Sequence, residues 1–391
     1  MNESSFVHIA RRMADIEPFH VMDLLALARK LEMQGREIVH MEIGEPDFAT
    51  PAPIVRAAQR ALEKGATHYT PAVGIMALRE KIAEHYLNRF SLHVQPEQII
   101  ITPGASGALM LALGVLINPG DKVLMPDPGY PCNRHFVRLF EGQAVEIPVG
   151  TTTDYQLTAD LLEKQGQEDA IAIMLASPSN PTGTVLNPAD LAALHQYANR
   201  TDTHLLIDEI YQGLAYDLQI QSAAGQADNT FIINSFSKYF CMTGWRLGWL
   251  VAPPAYCREL DKLAQNIFLA PPTLAQHAAM AAFDTDTLEI LETQREAFKQ
   301  RRDFLLPAIQ ALGFKVSVKP QGAFYLYADC SDVTDDSFRF CHDVLNDAGV
   351  AITPGKDFGS NQAAQHVRFA YTTSMDQLKR GVDRLQSYLK T

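Results

Sequence analysis

Short apolar runs rich in Val, Ile and Leu alternate with longer, helix-like stretches through the first two thirds of the chain. Each run ends in Pro, Gly, Ser, Asn or Asp, which are typical residues at strand boundaries. The alternation predicts strand–helix units around a mostly parallel sheet that is buried on both faces. The predicted strands are 98–102, 122–125, 170–176, 204–207, 230–234 and 247–252. The pattern therefore predicts an α/β fold class.

The pattern changes from about residue 285 onward. A long charged stretch around 295–302 predicts a helix, and strand-like segments follow it at 315–318, 323–327 and 366–370. A closing helix completes the chain, so we expect a smaller α+β domain after the large sheet. The sequence contains no internal repeat and no flexible linker, which favours close packing of the two domains.

The bulk composition narrows the class of partner. With 391 residues and 47% hydrophobic content, the chain exceeds the size of about 250 residues at which single cores stop growing. Its 33 Lys and Arg against 45 Asp and Glu give a net charge of -12, which opposes binding to nucleic acid or to an anionic membrane. We find no signal-peptide pattern and no uncharged apolar stretch of the ~18 residues that a membrane span needs. Five scattered cysteines without a CxxC pair predict neither disulfides nor a metal site. We expect a cytoplasmic protein with small-molecule partners.

The densest chemical signal is the segment Ser235-Phe-Ser-Lys238, followed eight residues later by Arg246. A lysine at the end of a buried strand and near other positive charge favours its neutral amine, which can attack an aldehyde. The hydroxyls of Ser235 and Ser237 and the guanidinium of Arg246 can hold a phosphate group. An aldehyde and a phosphate together indicate pyridoxal 5′-phosphate, bound to Lys238 as a Schiff base. The alternative is that Lys238 and Arg246 are solvated surface charges, and their grouping with two serines favours the cofactor.

Two further groups follow predicted strands. Asp208 ends the apolar run 204–207, where a buried carboxylate needs a positive partner, although it can also be a helix N-cap. The segment Gly104-Ala-Ser106 opens the helix-like run 107–116, so its backbone N–H groups can point at a phosphate. Both groups lie beyond the carboxyl ends of strands, where ligands bind in parallel sheets.

Taken together, the sequence closely resembles the class I aminotransferases of fold type I, which depend on pyridoxal phosphate. The resemblance runs from Gly44-Glu-Pro-Asp-Phe48, through Tyr69-Thr-Pro-Ala-Val-Gly74 and the Lys238 segment, to Arg368. It implies a mostly parallel seven-stranded sheet between helices, with a smaller α+β domain built from both chain ends. The implied division assigns 44–285 to the large domain and 1–43 and 286–391 to the small one.

The resemblance also implies the contacts to the cofactor. Asp208 would pair with the ring nitrogen and keep the ring an electron sink, while Tyr130 would stack on the ring. Tyr211 and Asn180 would donate to the phenolic oxygen and lower the pKa of the Schiff base. The predicted cofactor-binding residues are Gly104, Ala105, Ser106, Tyr130, Asn180, Asp208, Tyr211, Ser235, Ser237, Lys238, Arg246 and, from the neighbouring subunit of a homodimer, Tyr69. The predicted catalytic residues are Lys238, Asp208 and Tyr211.

For the substrate, the resemblance implies that Arg368 binds the α-carboxylate and that Gly44 allows the backbone to approach it. Asn180, Phe19 and Phe324 complete the predicted substrate-binding residues. Because Ser106 stands where some aspartate-specific relatives carry a basic residue, strong dicarboxylate selectivity is not expected.

Apolar residues are expected to contribute to the substrate pocket, which favours neutral or aromatic side chains. They are Phe19, Phe268, Leu269, Ala270 and Phe324. Arg134 or Arg12 could instead bind a distal carboxylate, which leaves aspartate- or alanine-type specificity open.

The implied reaction moves the α-amino group of an amino acid to a 2-oxo acid such as 2-oxoglutarate or pyruvate, with ping-pong kinetics. A C–S lyase on the same fold is an alternative that uses the same lysine, aspartate and arginine. A cofactor-binding transcription regulator and a dehydrogenase are disfavoured, because the chain is acidic and has no GxGxxG loop after its first strand.

Overall fold

The computed structural model describes residues 8–390 and contains three sheets among them. The strands are β1 (Val39–His40), β2 (Ile99–Thr102), β3 (Lys122–Asp127), β4 (Gln143–Pro148), β5 (Ala172–Ala176), β6 (His204–Asp208), β7 (Thr230–Ser235), β8 (Gly248–Val251), β9 (Tyr325–Asp329), β10 (Val350–Ala351), β11 (Thr353–Pro354) and β12 (His366–Ala370). The central sheet has seven strands in the order β2-β8-β7-β6-β5-β3-β4. Every neighbouring pair is parallel except those that β8 makes with β2 and β7. The α/β class and the seven-stranded, mostly parallel sheet are confirmed.

Helices cover both faces of the central sheet, because its strands are apolar on both sides. In β6, Leu205 and Ile207 belong to one core cluster and Leu206 to another, so alternate residues enter opposite layers. The helices are α1 (His20–Met33), α2 (Ala52–Glu63), α3 (Met76–Phe90), α4 (Gly104–Leu116), α5 (Cys132–Leu139), α6 (Ala159–Gln165), α7 (Pro188–Thr201), α8 (Cys257–Ile267), α9 (Thr273–Ala279), α10 (Thr285–Gln310), α11 (Ser337–Asp343) and α12 (Met375–Tyr388). Among the residues described, no helix is long and apolar enough to cross a membrane.

The six strands predicted for the first two thirds of the chain are all present, with ends shifted by at most two residues. The prediction missed β4, an edge strand that is mostly exposed and therefore lacks the apolar run of a buried strand. The predicted strand 315–318 is wrong. Only Lys315 pairs there, through an isolated bridge to Asp329, and the chain then leaves the sheet.

The remaining strands form two small sheets, one of which joins the two ends of the chain. One is antiparallel, in the order β11-β12-β9. The other pairs β1 with β10 in parallel, with Val39 opposite Val350. The segment that precedes the central sheet therefore packs with the segment that follows it.

The loop 355–361 ties the end of β3 to the start of α1. Asp127, the last residue of β3, accepts hydrogen bonds from the backbone N–H groups of Ser360 and Asn361, both at 3.0 Å. In the same loop the Asp357 carboxylate accepts the first free N–H groups of α1, from His20 at 2.9 Å and Val21 at 2.8 Å. A side chain at position 359 would overlap Asp127 Oδ1, and the φ angle of 150° there also favours the glycine that the chain has.

Candidate active site

A cavity of about 400 Å³ lies beyond the carboxyl ends of β5, β6 and β7. Such a position is where parallel sheets bind ligands. Most of the residues that the sequence singled out line this cavity together. They are Phe19, Gly44, Ala105, Ser106, Tyr130, Asn180, Asp208, Tyr211, Ser237, Lys238, Arg246 and Arg368.

Lys238 is the amine at the centre of the cavity. It follows β7 directly, and its Nζ donates a 2.6 Å hydrogen bond to the carbonyl oxygen of Gly44. Burial lowers the pKa of Lys238 to about 8, and Arg368 and Arg246 act in the same direction while Glu45 opposes them. A substantial fraction of this amine is therefore neutral near physiological pH, which is the nucleophilic form.

Asp208 is a buried carboxylate at the end of β6. Burial raises its pKa to about 6, against the hydrogen bond from the backbone N–H of Ile210 at 3.0 Å and the charge of Lys238. The carboxylate is thus ionised at neutral pH but costly to bury, and a second positive partner inside the cavity would stabilise it.

One side of the cavity has the features of an anion site. The helix α4 begins at Gly104 without a side-chain cap, so the N–H groups of its first turn are available to a ligand. A Cβ on Gly104 would lie 2.6 Å from Nη2 of Arg246, so a glycine allows this close approach. Ser237 lines the cavity, and Ser235 lies behind it with its hydroxyl 2.9 Å from that of Ser237.

Arg368, on β12, occupies another side of the cavity and is fully buried. Its Nη1 donates to Oδ1 of Asn180 at 2.9 Å, and its Nη2 donates to the carbonyl oxygen of Glu42 at 2.6 Å. The Nε–H is buried and has no partner among residues 8–390. This Nε–H is a donor that a ligand can satisfy.

Tyr211 and Tyr325 meet at the floor of the cavity. Their hydroxyl oxygens are 2.8 Å apart, and the Tyr325 ring lies with its centroid 4.2 Å from Cζ of Arg368. The sequence analysis did not single out Tyr325, but chose its neighbour Phe324 for the pocket. Phe324 does not line the cavity; it is buried and packs edge-on against the Tyr211 ring at 5.3 Å.

The remaining wall of the cavity is apolar and was largely missed by the sequence analysis. It is formed by Phe19, Val21, Met22, Leu25, Ile43 and Leu109. Three of these residues lie in α1 at positions 21, 22 and 25, which share one face of a helix. The amphipathic pattern of α1 predicts that this face is apolar, but the sequence does not indicate whether the face packs against the protein core or lines a cavity.

Other predicted residues lie outside the cavity. Phe268, Leu269 and Ala270 do not line it, and Tyr69 is 81% exposed on the surface. The two arginines considered for a distal carboxylate are also elsewhere. Arg134 faces Glu146 at 3.5 Å, and Arg12 donates to the carbonyl oxygen of Leu139 at 3.2 Å.

Comparisons with known proteins match nearly the whole chain. Residues 36–385 match the family described as aminotransferase class I and II. The chain is 38% identical to valine–pyruvate aminotransferase of Mycobacterium tuberculosis, over 96% of this chain and 97% of that protein. It is 36% identical to (5-formylfuran-3-yl)methyl phosphate transaminase of Methanocaldococcus jannaschii, over 97% of this chain and 99% of that protein. The crystal structure of an aminotransferase from Mycobacterium tuberculosis superimposes with a TM-score of 0.95 at 36% identity, covering 98% of this chain and 99% of that chain.

Proposed function

Because the chain belongs to the class I and II aminotransferases and is a transaminase, we propose that it uses pyridoxal 5′-phosphate at Lys238 to move the amino group of a neutral, apolar amino acid to a 2-oxo acid. The observation that carries this proposal is a buried amine with a lowered pKa in a cavity that also holds a buried carboxylate and an arginine with a free donor.

The residues of the cavity fit this cofactor. The uncapped N-terminus of α4, with Ser237 and Arg246 beside it, suits a phosphate dianion in charge and in hydrogen-bond donors. The buried carboxylate of Asp208 lacks a strong cationic partner and suits a protonated ring nitrogen. Tyr130 lines the cavity and can stack on an aromatic ring.

When bound, the cofactor supplies an aldehyde that engages amines and a ring that accepts the electron pair left at a substrate α-carbon. The residues of this chain supply the proton movements. Lys238 Nζ, whose pKa is lowered to about 8, can take a proton from the substrate α-carbon and return one, because both of its protonation states are populated near that pH. Its partner Gly44 O, at 2.6 Å, holds the ammonium form in position.

Arg368 is proposed to bind the substrate α-carboxylate. Its Nη1 and Nη2 are fixed by Asn180 and Glu42, which orients the guanidinium and leaves Nε–H as a donor. An arginine held in this way loses little conformational freedom on binding, so substrate contacts made there gain affinity and orientation.

The side-chain class of the substrate follows from the apolar wall. Val21, Leu25 and Leu109 offer dispersion contacts and no charge, and Arg134 and Arg12 lie outside the cavity with protein partners of their own. This supports neutral aliphatic or aromatic amino acids rather than dicarboxylates. The two relatives named above act on unlike substrates by name, a valine–pyruvate pair and a furan phosphate, so we infer the class from the wall alone.

We further propose a homodimer in which Tyr69 reaches the neighbouring site, supported by the 81% exposure of this large aromatic side chain on a surface loop. The division into a large domain of residues 44–285 and a small domain of residues 1–43 and 286–391 is supported by the pairing of β1 with β10, which come from the two chain ends. The cytoplasmic location is supported by five cysteines that are all free thiols.

The test is a half-reaction with the purified protein and each of twenty amino acids, followed by the absorbance of the bound cofactor and without an acceptor. Neutral aliphatic and aromatic amino acids should convert the cofactor faster than aspartate or glutamate. Borohydride reduction should attach the cofactor to position 238, and Lys238→Ala should prevent this. A protein that binds no cofactor, or that releases pyruvate and ammonia from a thioether substrate without a 2-oxo acid, would contradict the proposal.

A further inference from the structure

Tyr325 contacts both halves of the candidate site, although neither the cofactor nor the substrate assignments above include it. It begins β9 and is 1% exposed. Its hydroxyl lies 2.8 Å from the hydroxyl of Tyr211, and its ring faces the guanidinium of Arg368 at 4.2 Å. A Cβ on Gly44 would overlap the Tyr325 hydroxyl, so that hydroxyl also packs against the backbone that accepts from Lys238.

The direction of the Tyr211–Tyr325 hydrogen bond follows from the proposed function. A tyrosine hydroxyl has one proton to donate and lone pairs to accept. If Tyr211 donates its proton to the phenolic oxygen of the cofactor, its bond with Tyr325 requires Tyr325 to be the donor. A hydroxyl that accepts a hydrogen bond becomes a stronger donor itself, and the effect is larger in a buried site.

The position of Arg368 reinforces this direction. Burial raises the pKa of the Tyr325 hydroxyl, and the adjacent guanidinium lowers it. A tyrosine with a cation against its ring is a better hydrogen-bond donor than one without, because the cation stabilises negative charge on the phenol oxygen. Arg368 is itself held by three hydrogen bonds and two ring contacts, so its charge stays in place.

We propose that Tyr325 is a positioning residue that donates a hydrogen bond to Tyr211 and so strengthens the bond from Tyr211 to the phenolic oxygen of the cofactor. The inference rests on the proposed function, because it needs a cofactor whose oxygen Tyr211 binds. Its consequence is that Tyr325, acting through Tyr211, lowers the pH at which the cofactor bound to Lys238 loses its proton.

The test is a pH titration of this chromophore, the cofactor bound to Lys238, by absorbance. Tyr325→Phe keeps the ring that faces Arg368 and removes only the hydroxyl. We expect its apparent pKa to rise by about half to one pH unit, the size of one net hydrogen bond. In a Tyr211→Phe background the Tyr325→Phe substitution should not shift the apparent pKa further, because the hydrogen bond from Tyr211 to the cofactor is already absent.

Tyr216→Phe is the matched control. The Tyr216 hydroxyl is also buried and donates to the carbonyl oxygen of Ala323 at 2.5 Å, away from the cavity. Its loss should lower thermal stability and leave the chromophore titration unchanged. If Tyr325 has only a structural role, Tyr325→Phe should likewise lower thermal stability and leave the chromophore titration unchanged.

Replacing Tyr325 by a fluorinated tyrosine keeps the shape of the side chain and acidifies the hydroxyl, so the protein should fold and the chromophore pKa should fall. An unchanged titration in both Tyr325 variants, or an equal shift with and without Tyr211, overturns the inference alone. An unsubstituted protein without a chromophore overturns the inference and the proposed function together.

Discussion

The amine of Lys238 and the carbonyl oxygen of Gly44 lie 2.6 Å apart, although 194 residues separate them along the chain. The contact depends on a glycine at position 44, because any Cβ there would overlap the hydroxyl of Tyr325. Gly44, Lys238 and Tyr325 therefore come from distant segments of the chain and contact one another in the cavity. A substitution at position 44 should affect the positions of both the lysine amine and the tyrosine hydroxyl.

Gly44→Ala should reduce kcat/KM by about 10²-fold, because either the carbonyl shifts away from Lys238 or the Tyr325 hydroxyl shifts away from Tyr211. Steady-state kinetics measure the loss. Adding Tyr325→Phe should restore part of it, since the overlapping atom is the hydroxyl. Gly150→Ala is the control, because its Cβ would point into open space in an extended backbone. A Gly44→Ala enzyme with normal kinetics would contradict the contact.

Asp208→Asn should abolish transamination and yet stabilise the cofactor-free protein at pH 8. Burial raises the pKa of Asp208 in the folded protein to about 6 from its ordinary value of 3.8. Between these two pH values the folded protein holds more protons than the unfolded chain, so the free energy of unfolding falls as pH rises. Above about pH 6 the carboxylate is ionised in both states, and the full destabilisation caused by its burial is present. An uncharged Asn avoids this cost, worth about 1–3 kcal/mol.

Urea unfolding of the cofactor-free proteins at pH 8 and pH 3.5 tests this prediction. The variant should gain stability at pH 8, and most of the gain should be lost at about pH 3.5, where the carboxyl is mostly protonated in both states. A variant that is less stable than the unsubstituted protein at pH 8 would mean that the carboxylate already has adequate partners inside the protein.

Arg368→Lys should raise the KM for amino acids by about 10- to 100-fold and leave cofactor affinity unchanged, because a point charge replaces a guanidinium fixed by Asn180. Half-reaction titrations measure the affinity for amino acids, and titration of the cofactor-free protein with pyridoxal 5′-phosphate measures the cofactor affinity. Arg302→Lys is the control: Arg302 is equally buried but donates to Asp217 and to the carbonyl oxygen of Pro320, outside the cavity. Equal effects of the two substitutions on KM would contradict a substrate role for Arg368.

Met22→Lys should shift selectivity toward dicarboxylates, because it adds an ammonium to the apolar wall. We expect the ratio of kcat/KM for aspartate to that for leucine to rise about 10-fold. Met33→Lys adds the same charge at the far end of α1, where the side chain is 82% exposed, and should leave the ratio unchanged. If the unsubstituted enzyme already prefers aspartate, the assignment of the wall as the side-chain pocket is wrong.

The sequence predicted the central sheet well because its strands are buried on both faces and read as unbroken apolar runs. The edge strand Gln143–Pro148 lacks that signal, since only one side of it pairs and most of it faces solvent. The segment 315–318 shows the opposite case, a strand-like pattern of alternating apolar and polar residues in a segment that forms no strand. Its pattern is that of a strand, but the chain makes a single bridge at Lys315 before it turns away.

The lining of the candidate cavity was predictable where chemistry narrows the choice of residue type, as for Lys238, Asp208 and Arg368. The lining was less predictable where only the shape of the folded chain decides which side chain faces the cavity. Phe324 and Tyr325 are adjacent in sequence, and hydrophobicity favours the phenylalanine for a pocket, but only the tyrosine faces the cavity. The apolar face of α1 was equally hidden, because burial against a core and burial against a substrate give the same pattern.

The loop 355–361 binds Asp127 through Ser360 at one end and the first turn of α1 through Asp357 at the other. Since α1 carries Val21, Met22 and Leu25, the loop connects that wall to the turn that bears Tyr130. Seven residues outside the apolar wall thus help to set its position, together with the packing of α1 against β10 and β11. A substitution in the loop can therefore move α1 relative to the turn at Tyr130 without replacing Lys238, Asp208 or Arg368.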